Sequence, residues 1–200
     1  MTEIIMGGRI ESADTSRLSR NDDRYRTVAI DRSTHAQTTI DYEHHEVHAG
    51  SHYYMFLSAI LASGDTQSFG LVTPDTTRRM HMMFHISSAD LITYTVTEGG
   101  VLAGGAAATI FNSRREYQVS KPSTCVGTVG KTGANPITMA GGTIIWQEYL
   151  SVGLKQGGVT IRAEEVILKP NTQYLFQVLS GANGNNESHR LTWYEHTDKD

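Results

Sequence analysis

Cysteine occurs once in the 200 residues, at Cys125, which excludes an intramolecular disulfide framework and any multi-cysteine zinc site. No run approaches the roughly 18 apolar residues that a membrane-spanning helix requires. Charge of one sign is scarce as well. Lys and Arg number 17 against 21 Asp and Glu, a formal net charge of -4 with a pI near 6.1. That balance argues against a protein that coats DNA or RNA by neutralising phosphates. Hydrophobic residues make up 38% and charged residues 19%, both low for a globular chain. The segment Met1–Arg9 is short, carries Glu3 and leads into more charge, unlike a secretory leader, so a soluble, intracellularly made protein is expected. Serine and threonine, by contrast, supply about a fifth of the sequence, and there are 19 glycines. Such a mixture suits many short strands and turns better than long helices.

The chain divides in two by pattern. Residues 1–37 hold Arg9, Arg17, Arg20, Arg24, Arg26 and Arg32, half of all the arginines, balanced by Glu3, Glu11, Asp14, Asp22, Asp23 and Asp31. Their few apolar residues keep neither a helical nor a strand period, so this polyampholyte cannot bury enough surface to offset its ordering entropy alone. It reads either as a floppy terminus or as an extended N-terminal arm that orders against a partner, and the second reading assigns it a role. Arginine forks would grip carboxylates there, with Tyr25, between Arg24 and Arg26, as an anchor.

Residues 38–200 read as strands and turns. Alternation opens at Thr38–Tyr42, and Tyr53–Leu61 is mostly apolar up to the Gly64-Asp65 break. Met80, Met82, Phe84 and Ile86 alternate with His81, Met83 and His85, and Ile92–Thr97 keeps the cleanest two-residue period. Thr109–Tyr117 reads as a strand, and Pro122–Gly142 as a long loop or loosely paired hairpin. Ile144–Leu150, Glu164–Leu168, Tyr174–Leu179 and His189–Tyr194 follow, with a Lys169-Pro170-Asn171-Thr172 turn and a polar turn over Ser180–Glu187. Eight or nine short strands without a convincing amphipathic helix predict an all-β fold, a jelly-roll-like β-sandwich. Met80, Met82 and Met83 read as core filling, and Trp146 and Trp193 as packed within the sandwich.

Few residues suggest chemistry. On a strand, His44, Glu46 and His48 would share one face, two imidazoles and a carboxylate at the spacing of a facial metal triad. Cupin-like jelly rolls place metal ligands on strands, but they need a further distant histidine motif, which His81, His85, His189 and His196 do not form. A histidine ladder on a solvated or subunit-facing strand explains the pattern equally well, so no metal and no cofactor is expected. Cys125 has no neighbouring base to activate it, no Gly-x-Ser-x-Gly elbow or phosphate loop occurs, and the adjacent Glu164 and Glu165 cannot cooperate as acid and base. No catalytic residue is assigned, and the expectation is a protein that is not an enzyme. Trp193 with Tyr194, and the strand carrying His44, Glu46 and His48, are candidates for a subunit interface.

Two stretches carry a resemblance. Thr39–Ser51 stands near the start of the domain; Ile167–Phe176 and Leu191–His196 stand near its end, with Thr-Pro-Asp-Thr-Thr at 73–77 between them. Together they resemble virion structural proteins of tailed bacteriophages, of the small β-rich type that decorates or cements the head. The resemblance implies a non-catalytic jelly-roll-like sandwich on the outer capsid surface, made in the bacterial host cytoplasm. Its implied partner is the major capsid protein, and its implied state a homo-oligomer, a trimer before a dimer, with no direct nucleic-acid or membrane contact. Arg9, Arg17, Arg20, Arg24, Tyr25 and Arg26 are then the candidate capsid contacts. A fibre or tail module that binds host glycans, and a cupin-like metal-binding enzyme, are the alternatives.

Overall fold

Alternating burial along the strands sets the architecture. The computed structural model describes residues 42–150, 159–162 and 165–197. The proposed arm, with Arg9, Arg17, Arg20, Arg24, Tyr25 and Arg26, lies outside the described residues. The described residues open with a helix, α1 (Tyr42–Ala49), followed by β1 (His52–Leu61), β2 (Thr66–Val72), β3 (Arg78–Ser88) and β4 (Ile92–Glu98). An excursion of short strands comes next: β5 (Val101–Gly104), β6 (Ala106–Ala107), β7 (Phe111–Asn112), β8 (Val126–Lys131) and β9 (Ile137–Ala140). The chain then rejoins the main body through β10 (Thr143–Leu150), β11 (Val159–Arg162), β12 (Val166–Leu168), β13 (Gln173–Ser180) and β14 (Asn185–Thr197).

One sheet runs β11-β3-β14-β1-β7, with β12 also on β3; the other runs β10-β4-β13-β2-β8-β6. Every pairing is antiparallel. Successive strands β1, β2, β3 and β4 alternate between the sheets, and β10 to β14 return the same way once β11 and β12, which both pair with β3, are counted as one position. The two sets β1-β14-β3-β11 and β2-β13-β4-β10 therefore have the strand order of a jelly roll. The all-β sandwich predicted from the sequence is the fold. Among the described residues no helix is long and apolar enough to cross a membrane.

Aromatic and methionine side chains fill the space between the sheets. Trp193, Tyr94, Tyr174, Phe69, Phe84, Phe176, Met55 and Met82 are among the largest fully buried groups. Trp146 packs edge-on against Phe84, with ring centroids 5.3 Å apart. Rings of this kind each bury roughly 150–250 Å², so a few of them carry much of the hydrophobic stabilisation. Met80 and Met82 belong to the same core, as core filling requires, whereas Met83, although buried, projects from the opposite face of β3 and is not part of it.

The excursion corrects two local expectations. Residues 122–142 pair with themselves only at the Lys131–Ala134 bridge; β8 extends the second sheet beyond β2, while β9 pairs with β5 in a separate ribbon. Thr109–Tyr117 is not one strand, because Asn112 turns the chain. Its amide donates to the carbonyls of Gly50 (2.9 Å) and Lys121 (3.0 Å), its Oδ1 accepts from the Arg114 N–H (2.8 Å), and a 3-10 turn over Arg115–Tyr117 follows. By lying against β1 and β2, β7 and β8 also cover edges that would otherwise present unpaired backbone.

Two of the segments singled out in the sequence meet here. Thr73 Oγ1 donates to the carbonyls of Lys169 (2.7 Å) and Thr172 (3.0 Å), and the Asn171 N–H reaches the Pro74 carbonyl at 3.1 Å. Asn171 adopts φ +48° to make this turn, a left-handed conformation that asparagine tolerates better than most residues.

Candidate functional site

The outer face of the β1-β14-β3 sheet carries an unusual set of side chains. Tyr54 and Phe56 project from β1 and Phe111 from β7. Their rings stack, with centroids 5.2 Å apart for Tyr54–Phe111 and 6.0 Å for Phe56–Phe111. Phe56 remains 54% exposed, an outlay of apolar surface that folding alone does not require. The register places Arg190 of β14 between Phe56 on one side and His85 of β3 on the other. The Arg115 guanidinium lies over the Phe111 ring, 5.1 Å from its centroid. A shallow depression of about 400 Å³ runs along Tyr54, Phe56, His85, Ser87, Ser188 and Arg190. A neighbouring one of about 550 Å³ continues it past Ser58, Ile60 and Asn186. Sequence reading missed this face, because Tyr54 and Phe56 sit in a mostly apolar run that does not tell its two faces apart. The period-2 offset from the inward Tyr53 and Met55 was the signal.

The same face holds a second polar group at its other end. His81 stacks on Tyr194 (centroids 4.6 Å apart) and on His196 (4.3 Å), and its Nδ1 pairs with the Glu165 carboxylate. Burial would raise the Glu165 carboxyl, but His81 and Tyr194 outweigh it and hold the group below its ordinary value.

A third cluster lies between the sheets. On the second sheet, Gln67, Val178, Tyr94 and Glu148 form one cross-strand row. Facing it on β14 are Glu187, set between Ala59 and Ser88, and His189, set between Leu57 and Ile86. The His189 ring meets Phe69 and Tyr94 edge-on, with centroids 4.6 Å and 5.3 Å away. Among the described residues, the Glu187 carboxylate, both His189 nitrogens, the Tyr94 hydroxyl and Gln67 Nε2 make no hydrogen bond. Burial pushes the Glu187 carboxyl up to about 8 and the His189 imidazole down to about 3, so both are neutral at pH 7.

The residues selected from the sequence fall in different places. His44, Glu46 and His48 do not lie on a strand. The segment is α1, which lacks a β-branched run and ends in a Schellman-type stop. There Gly50 adopts φ +75°, its N–H bonds the Val47 carbonyl, and the Ser51 N–H bonds the Glu46 carbonyl, both at 3.1 Å. The helix turns Glu46 inward, where it is buried and accepts a bond from Ser51 Oγ, while His44 and His48 share the exposed face. The facial triad is therefore broken up. A Gly50→Ala exchange should cost about 1–3 kcal/mol of stability in denaturant unfolding. A Cβ there would meet the Tyr117 ring at 2.2 Å, in a conformation L-residues avoid.

Trp193 is completely buried, so its side chain belongs to the core and is not offered to a neighbouring subunit. Tyr194 faces the other way but is itself only 5% exposed. Cys125 is buried, and desolvation pushes its thiol up to about 12, the opposite of an activated nucleophile. Among the described residues no three His, Cys, Asp or Glu side chains are grouped to hold a metal ion. No protein-family model matches this sequence, and no curated protein matches it.

Proposed function

We propose that this chain is a capsid decoration protein of a tailed bacteriophage, a structural part that docks on the outer surface of the head and ties major capsid subunits together. The observation that carries the reading is the Tyr54–Phe56–Phe111 stack, with Phe56 exposed and Tyr54 and Phe111 half-buried, flanked by Arg190 and Arg115 on a broad, open sheet face. Aromatic rings beside arginine are the composition of protein-docking hot spots, and an open face suits a large partner better than a small molecule. The resemblance carried by residues 39–51, 73–77, 167–176 and 191–196 points the same way. In this reading the arm arginines, with Tyr25, add a second grip on carboxylates of the shell. Homo-oligomerisation, a trimer before a dimer, would multiply both contacts. The cupin-like alternative has little room, because the space between the sheets is occupied by Trp193, Phe84, Tyr94, Phe176 and Met82.

Stacked rings also suit a sugar face, so the fibre or tail module that binds host glycans is the second reading. Co-sedimentation of the purified chain with undecorated shells of a tailed-phage major capsid protein separates the two. Saturable binding at on the order of hundreds of copies per shell is expected from lattice symmetry. Phe56→Ser with Arg190→Glu should weaken it by about 2 kcal/mol or more, roughly thirtyfold, with the unfolding midpoint little changed. A chain that stays in the supernatant at every ratio, yet binds cell-surface polysaccharide, would transfer the assignment to the fibre reading.

A further inference from the structure

The helix that dissolves the expected triad brings two of its members together. His44 and His48 are one turn apart on α1, and their Nε2 atoms are 3.0 Å from each other, with ring centroids 4.6 Å apart at an interplanar angle of 72°. Both side chains are exposed, so with Nδ1 carrying the proton on each ring the two Nε2 lone pairs can turn onto one cation without disturbing the core. We propose that His44 and His48 form a two-imidazole site for a late first-row divalent cation, Cu(II) above all. The reading stands apart from the capsid assignment.

The spacing admits a chelate, and ligand chemistry favours copper. Two nitrogens 3.0 Å apart, each about 2.0–2.1 Å from one ion, subtend roughly 95° at it, the cis angle of a tetragonal centre. Imidazole suits copper and nickel, and copper stands highest in the divalent affinity order. The remaining positions would be water, because Glu46 is turned inward to Ser51 and His45 Nδ1 lies 3.2 Å from the Glu46 carboxylate. The last turn of the helix is held in place: Arg114 donates to the His48 carbonyl at 2.5 Å and Lys121 Nζ to the Ala49 carbonyl at 2.8 Å. Glu116 pairs with Arg114 and offsets the nearest fixed positive charge. A chelating pair on a fixed helix gains over a lone surface histidine because the second donor is already in place.

Cu(II) alone, titrated into the full-length chain, is the test, read by electron paramagnetic resonance and by a competing chelator. One tight equivalent per chain with a two-nitrogen coupling pattern is expected. His44→Ala and His48→Ala should each weaken it at least tenfold, while His45→Ala leaves it unchanged. Equal thermal midpoints of the variants without metal would show that the fold is intact. A His44→Ala/His48→Ala double variant that binds copper as tightly as the parent, or a parent signal with a single nitrogen, would overturn the site.

Discussion

Replacing Glu195 with alanine should remove about 3–5 kcal/mol of stability and, at the same time, expose a thiol that is inert in the parent protein. Glu195 is 2% exposed, yet it faces no cation among the hydrogen bonds it makes. Its carboxylate accepts from Ser123 Oγ (2.5 Å), Thr124 Oγ1 (2.6 Å), the Thr124 N–H (3.1 Å) and Trp193 Nε1 (3.1 Å). One side chain therefore satisfies a fully buried indole and pins the loop that leads into β8. Without it those donors are stranded, each at a cost of about 1–3 kcal/mol where water cannot replace the acceptor. Gln at this position restores part of the loss, since its oxygen can accept from Ser123 and Trp193 while its amide opposes the Thr124 N–H. The second readout follows from position: Cys125 is next in the chain, and burial with the nearby Glu195 charge contributes to its raised thiol pKa. Thiol-reagent labelling of Glu195→Ala under native conditions should be much faster than that of the parent. An unchanged labelling rate with an unchanged midpoint would mean that Glu195 does not hold this loop.

The sequence discloses the fold well where burial alternates. Met80, Met82, Phe84 and Ile86 on β3, and Ile92, Tyr94 and Val96 on β4, point inward in the order their period implies. It discloses less where one residue redirects the chain by side-chain bonds, as Asn112 does, or where a short polar helix imitates alternation, as α1 does. The strand β14 begins at Asn185, inside the expected polar turn. There Asn185 is buried and bonded to Ser88 Oγ (2.9 Å) and Ser180 Oγ (3.2 Å), so its polarity marks a satisfied network rather than solvent. The binding face is hardest to see. Tyr54 and Phe56 have the same chemistry as their core neighbours, and only knowledge of which side of the pleat they occupy separates them. Glu187 and His189 are missed for the converse reason, being polar residues that a pattern reading places at the end of a turn and the start of a strand without marking either as buried.

Those two buried groups set the second large expectation, a stability optimum in mildly acidic solution. Glu187 has a folded pKa of about 8 against 4.5 for an ordinary carboxyl. Its contribution is thus fully present below pH 4.5 and is lost as pH rises towards 8, because the unfolded chain gives up a proton that the folded chain keeps. His189 has a folded pKa of about 3 against 6.5. Its contribution is present above pH 6.5 and is lost as pH falls towards 3, because the unfolded chain gains a proton that the folded chain refuses. Between 4.5 and 6.5 the two slopes cancel. The groups facing the pair, Tyr94 and Glu148 across the sandwich with Gln67 and Ser88, supply no compensating cation. In acid, Glu98 steepens the fall, since its carboxyl is held low chiefly by Lys169, with Tyr174 adding. Stability should therefore be flat near pH 5–6 and drop by on the order of 2 kcal/mol by pH 8 and again by pH 3, roughly 4–8 °C in thermal midpoint each way. Glu187→Gln should flatten the alkaline limb and leave the acid one, and His189→Leu should do the reverse. A midpoint that climbs steadily from pH 4.5 to 8 in the parent, with Glu187→Gln running parallel to it, would mean that Glu187 is ionised in the folded protein and that a cation or water reaches it between the sheets.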